Sequence, residues 1–95
     1  MPIVLCVLLW AREGKEDDLA AYEDRVLSLL PEHGGRVVQR ARGTEPGDGP
    51  CEVQLLESAS QAALDAYTND PRRTALAADR DAAIARTQII PVRLV

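Results

Sequence analysis

Few side chains in this chain have the chemistry for catalysis, and they do not form a familiar motif. His33 is the only histidine, the side-chain type suited to proton transfer near neutrality. It is either a solvated loop residue at the end of a helix or a general base at a pocket rim. Arg80 carries a permanent charge and a planar fork of donors suited to a carboxylate or an enolate, and the hydroxyl of Tyr67 could stabilise the same anion. These three are the candidate catalytic residues. Trp10, Tyr22 and Arg40 are candidates for the wall of a ligand pocket, with core packing and surface ion pairs as the plainer readings. Arg72 and Arg73, beside Asp70, read as surface charge.

Cofactor motifs are not found. There is no Gly-rich phosphate loop after a strand, no His/Cys cluster with metal-ligand spacing and no nucleophile elbow. The expectation is a protein that uses no metal, flavin or haem. The net charge of −4 and the pI near 4.9 disfavour a nucleic-acid partner, because an acidic chain is repelled by phosphate backbones. Ten of the eleven basic residues are Arg, a bias that reads as a GC-rich genome rather than as selection for anion binding. Cys6 and Cys51 make neither a disulfide framework nor a metal site, and free thiols point to a reducing cytoplasm. The apolar start lacks the basic flank and small-residue cleavage site of a signal peptide and is too short to span a bilayer, so no membrane partner is expected.

The elements that must position these residues follow from periodicity. "PIVLCVLLW" (2–10) reads as a strand. Glu16, Asp17 and Asp18 open a helix where carboxylates favour the positive end of its dipole. Leu19, Tyr22, Val26, Leu29 and Leu30 then form one stripe over about four turns, stopped by Pro31 and Gly34. "RVVQRAR" (36–42) is a polar strand suited to a sheet edge, and "GTEPGDGP" (43–50) is a loop of turn formers. "CEVQLLE" (51–57) alternates Cys51, Val53 and Leu55 against Glu52, Gln54 and Leu56. Ser58 and Gln61 match a capping box for a second helix. That helix runs to about Tyr67, breaks at "TNDPRR" and restarts with Asp70 as N-cap and Pro71 as its first residue, with Leu76, Ala83 and Ile84 as its apolar positions. "TQIIPVRLV" (87–95) is a last strand, placed at an edge because Pro91 cannot donate to a ladder.

The order is therefore β-α-β-β-α-β in a single α+β domain covering 1–95. Right-handed crossovers put both helices on one face of a four-stranded antiparallel sheet with strand order 4-1-3-2. That arrangement leaves a problem. The first strand is apolar on both sides, Ile3, Leu5, Val7 and Leu9 against Val4, Cys6, Leu8 and Trp10, and two helices cover only one of them. A second copy of the same sheet is the simplest cover, which predicts a homodimer. Which parity faces the helices is not decided by the pattern.

Three stretches then carry a resemblance. "HGGRVVQRAR", "VQLLESASQAALDAYTNDP" and "RRTALAADRDAAIARTQIIPV" are similar to the Gly-Gly entry to strand two, the Ser-capped Ala-rich helix, and the final helix and strand of the dimeric α/β-barrel (dimeric ferredoxin-like) superfamily. That superfamily holds antibiotic-biosynthesis monooxygenases, muconolactone isomerases and aromatic polyketide cyclases. The likeness covers nearly the whole chain and specifies fold better than activity. It implies a ferredoxin-like dimeric α/β barrel and a cofactor-free oxygenase, isomerase or cyclase acting on an aromatic, polyketide-like or otherwise enolisable compound. The residues of the haem-degrading branches are not identified in this sequence. A non-catalytic ligand-binding or assembly module is the alternative.

Overall fold

The computed structural model describes residues 2–95. Four strands, β1 (Ile3–Ala11), β2 (Gly35–Arg42), β3 (Glu52–Ser58) and β4 (Ile84–Pro91), form an antiparallel sheet in the order β2-β3-β1-β4. Read from the other edge, this is the order that right-handed crossovers predict. The polar β2 and the Pro-containing β4 are its edges, and the apolar β1 is central.

The helices are α1 (Glu16–Leu27), α2 (Gln61–Thr68), α3 (Pro71–Thr74) and α4 (Ala77–Ala83). The stripe read as one helix of about four turns divides in two. α1 ends at Leu27, and a single 3-10 turn over Leu30–His33 follows, with Pro31 as its second residue. Gly34 then takes the left-handed conformation at φ 74°, which reverses the chain into β2. Gly35 has a different reason to be glycine: a Cβ there would stand 2.7 Å from the Leu30 side chain and 3.0 Å from the carbonyl oxygen of Glu57.

Several boundaries differ from the sequence reading: the last strand spans Ile84–Pro91 rather than 87–95, and two shifts next to the helices have local causes. Ser58 is the last residue of β3, paired to Ile3 and Gly35, and Ser60 is the N-cap of α2, its hydroxyl accepting from the backbone N–H of Ala63 at 3.0 Å. Both serines precede the helix, and strand pairing takes the first. Ile84 is extended and opens β4 instead of closing a helix. The break at Asp70-Pro71 is found where expected: the Asp70 carboxylate accepts from the Arg72 backbone N–H at 2.8 Å and Pro71 starts α3.

The core decides the parity of β1. Leu5, Val7 and Leu9 are buried beneath Leu19, Tyr22, Val26 and Leu27 of α1, together with Leu30, Leu56, Tyr67, Ala83 and Ile84. Val4, Cys6, Leu8 and Trp10 therefore lie on the face the helices do not cover, beside Val53 and Leu55 of β3 and Ile90 of β4. These side chains are partly or largely exposed. Cys6 and Cys51 are free thiols. Among the described residues no helix is long and apolar enough to cross a membrane.

Candidate functional site

The sheet, α1 and the three-piece second helical region enclose a cavity of about 110 Å³. Its floor is apolar: Leu5, Val7 and Leu9 of β1 and Leu56 of β3, with Leu27 and Leu64 from the helices above. Polar groups enter from four directions. Glu23 comes from α1, Gln54 from β3, Tyr67 and Thr68 from α2, and Arg73 and Arg80 from α3 and α4. Ile84, Thr87 and Ile89 of β4 complete the wall. Glu23, Gln54 and Tyr67 are buried while Thr68, Arg80 and Ile89 are exposed, so the cavity is closed at α1 and β3 and open along β4. The volume is well below the roughly 300–1,000 Å³ of a typical drug-sized pocket.

The polar chemistry is concentrated at the closed end. Gln54 Nε2 donates to Glu23 Oε1 at 2.7 Å and to Glu52 Oε2 at 2.6 Å, so one amide bridges two carboxylates. All three side chains are buried, Gln54 and Glu52 at 1% exposure and Glu23 at 7%. Glu52 is met by two guanidinium groups: Arg40 donates to both of its oxygens at 3.1 Å, and Arg42 Nε donates at 3.2 Å. Arg40 also reaches Asp24 at 2.7 Å on the surface. Burial pushes the Glu23 carboxyl above its ordinary value, the Gln54 hydrogen bond opposes the rise, and the charge of Glu52 adds to it. Glu23 is therefore a carboxyl poised toward neutrality on the cavity wall.

Arg73 is the second unusual group. Its guanidinium carbon lies 5.1 Å from the centroid of the Tyr67 ring, and one terminal nitrogen makes a long 3.4 Å contact to the Thr68 carbonyl. Its Nε is buried without a hydrogen-bond partner among the described residues, as is Thr87 Oγ1. Two unsatisfied donors are therefore associated with one cavity, where buried polar groups are ordinarily paired. Burial raises the Tyr67 hydroxyl above its ordinary value, against the nearby Arg73.

The residues singled out from sequence divide into two groups. Tyr67 and Arg80 line the cavity together. His33 stands behind it: its Nε2 is 2.8 Å from Asp70 Oδ2, and its ring packs edge-on to Tyr67 at 6.3 Å between centroids. Tyr22 is buried in the core and faces a separate cleft between α1 and α4, with Arg25 and Asp79. Arg40 serves the Glu52 ion pair rather than the wall. Trp10 is on the opposite face of the sheet, under the Arg86 guanidinium at 4.4 Å, with its indole N–H donating to the Asp48 carbonyl at 2.9 Å. The alternation of β1 makes this unavoidable once Leu9 is in the core.

Glu23, Gln54, Arg73 and Thr87 were not expected at a site. Arg73, read as surface charge, enters the cavity because α3 restarts one residue after Asp70 and turns this position inward. Glu23 did carry a signal: it stands four residues after Leu19 and three before Val26, inside the apolar stripe of α1, where a charged residue has no packing reason to be. Among the described residues no group of three or more His, Cys, Asp or Glu is placed to hold a metal ion.

Comparison with known protein families finds none that matches, and no curated protein matches. Solved structures do. A protein of unknown function from Rhodopseudomonas palustris is 22% identical with a TM-score of 0.79, over 99% of this chain and 82% of that one. A dimeric protein of unknown function with a ferredoxin-like fold from Bacteroides fragilis is 12% identical with a TM-score of 0.73, over 98% and 96%. A DABB-family protein with a ferredoxin-like fold from Mesorhizobium loti is 17% identical with a TM-score of 0.70, over 99% and 97%. At these identities the likeness is one of fold, and the fold is ferredoxin-like.

Proposed function

We propose that the protein is a homodimer of the dimeric α/β-barrel type that takes a small aromatic or enolisable anion into the cavity and needs no cofactor to act on it. The cytoplasm is the compartment that suits its free thiols. The observation that carries the reading is the combination of a leucine-rich floor with two unpartnered donors, Arg73 Nε and Thr87 Oγ1. An apolar body with one anionic or enolisable oxygen is complementary to both. An isomerase, cyclase or antibiotic-monooxygenase-like oxygenase would each use such a site. The small volume favours a second reading, a module that assembles without binding anything. The similar dimeric protein of known structure and the open apolar face both support pairing of two copies.

Calorimetric titration with a panel of aromatic acids and quinones separates the two readings. Binding below about 1 mM is expected, with Arg73→Ala weakening it by about 1–3 kcal/mol because a partly buried charged hydrogen bond is lost. The exposed Arg80→Ala should cost less, about 0.2–1 kcal/mol. If no compound in the panel binds, the assembly module is the correct reading.

A further inference from the structure

We propose that Glu23 is the proton-transferring group of the cavity, acting on the acidic C–H of an enolisable carbonyl compound, and that Gln54 and Glu52 form the chain that holds it. The proposal rests on the cavity being a ligand site and adds the chemistry performed there. Three geometric facts support it. Among the described residues, Glu23 is the only carboxylate on the wall of this cavity. One of its oxygens, Oε1, accepts from Gln54 at 2.7 Å. That same amide is anchored on Glu52, which two arginines in turn clamp from the β2 side. A structural carboxylate would be expected in the clamped position of Glu52. Among the described residues Glu23 has no cationic partner within hydrogen-bond distance, and it stands beside an apolar floor, as suits a group that exchanges a proton with a bound molecule.

The step needs no co-reactant. Glu23 takes the proton from the carbon beside a carbonyl. The C–H electron pair becomes the new C=C bond, and the carbonyl π pair moves onto oxygen to give an enolate. Arg73 Nε and the Thr87 hydroxyl are the unpartnered donors available to that oxygen. Once the Glu23 carboxyl has exchanged its proton with solvent D2O, delivery of a deuteron to the same carbon is isotope exchange; delivery of the proton to a conjugated carbon is isomerisation. Burial favours the neutral acid and so strengthens the base it leaves behind.

Phenylpyruvate is a suitable probe, with one ring, one carboxylate and an acidic methylene. In D2O the protein should wash its methylene protons out faster than buffer alone, followed by NMR. Glu23→Gln should lower the protein-dependent rate by about 100-fold or more. It should bind phenylpyruvate no more weakly, since a negative charge has been removed. The wild-type rate should rise with pH through a midpoint above 4.5, the ordinary value of the carboxyl. The groups around Glu23 are Tyr22 beside it on α1, Glu52 and Gln54 on β3, Arg40 on β2, Tyr67 on α2 and Arg73 on α3. Gln54→Met should move that midpoint further up, a shift a purely structural role would not give. Binding without protein-dependent exchange, or equal exchange by Glu23→Gln, overturns this assignment and leaves the ligand site standing. Absence of binding overturns both.

Discussion

The helix-covered face of the sheet buries Glu52, Gln54 and Ser58 of β3, with Glu23 of α1 above them. The open face presents Val4, Cys6, Leu8 and Trp10 of β1, Val53 and Leu55 of β3, and Ile90 of β4. The usual assignment of polar residues to the outside and apolar ones to the inside is thus partly inverted across one sheet. Each inversion has a consequence. Buried polar groups are costly unless paired, so the covered face is held by a specific network from Arg40 to Glu23. An exposed apolar sheet surface is unfavourable in water, so the open face calls for a partner. The proposed chemistry uses the first face and the proposed association the second.

Adjacent residues of β1 give the sharpest contrast. Leu9 is 2% exposed in the core, and Leu8 points to the open face. Leu9→Asp should destabilise the fold by roughly 4 kcal/mol or more, through lost packing and an unpaired buried charge, and a domain of this size has only about 5–15 kcal/mol in total. Val7→Asp should behave alike. Leu8→Asp should keep its circular dichroism and instead shift the mass by light scattering from twice 10.3 kDa to a single copy. A wild-type monomer at micromolar concentration would break the comparison, because the open face would then need no cover.

Within the covered face, Gln54→Met tests whether the amide or mere packing matters. The volume is nearly kept, but Glu23 and Glu52 each lose a donor, at about 1–3 kcal/mol. The loss should depend on pH in a definite sense. Burial raises the Glu23 carboxyl, so its contribution is fully present below its unfolded value and is lost as pH rises through its folded value. Without Gln54 the folded value rises further. The gap between variant and wild type in urea midpoints should therefore be wider at pH 8 than at pH 4.5. An equal gap at both would mean that the amide only fills space.

How much of this was legible in sequence depended on whether position or parity decided it. The two-sided apolarity of Ile3–Trp10 is enough to place β1 centrally, and Pro91 and the polar β2 mark the edges, so strand order could be read. The break at Asp70-Pro71 could be read because cap and first-turn proline are local signals. Parity was not local. Trp10 was expected beside the ligand because it ends the central strand, and which side it faces depends on Leu5, Val7 and Leu9 meeting α1. The alternation of Glu52 and Gln54 with Val53 and Leu55 suggests a wet face on β3, yet the helices cover that side. Of the cavity's lining residues, Tyr67 and Arg80 stand out in the sequence; Glu23, Gln54 and Arg73 do not, because each becomes distinctive only through residues distant in sequence.

The smallest effect concerns the rim of the covered face, where Asp70 links α3 to the 3-10 turn that ends at His33. It caps α3, accepts from Arg72 Nη2 at 2.8 Å, and lies 2.8 Å from His33 Nε2. The Arg72 side chain, then His33, then the Arg72 backbone N–H hold the Asp70 carboxyl far below its ordinary value of 3.8. For a group depressed in this way, the stabilisation is present above the unfolded value and is lost as pH falls toward the folded one. Asp70→Asn keeps a capping oxygen but removes the charge. Near neutral pH the variant should have a slightly lower thermal midpoint than wild type. From pH 4 downward the wild type should lose stability faster, so the two curves converge. Because α3 carries Arg73 into the cavity, the variant should also bind an aromatic acid slightly more weakly at pH 7. Curves that stay parallel from pH 5 to pH 2 would show that Asp70 acts through its cap alone, and that the rim contributes no charge-dependent support to the covered face.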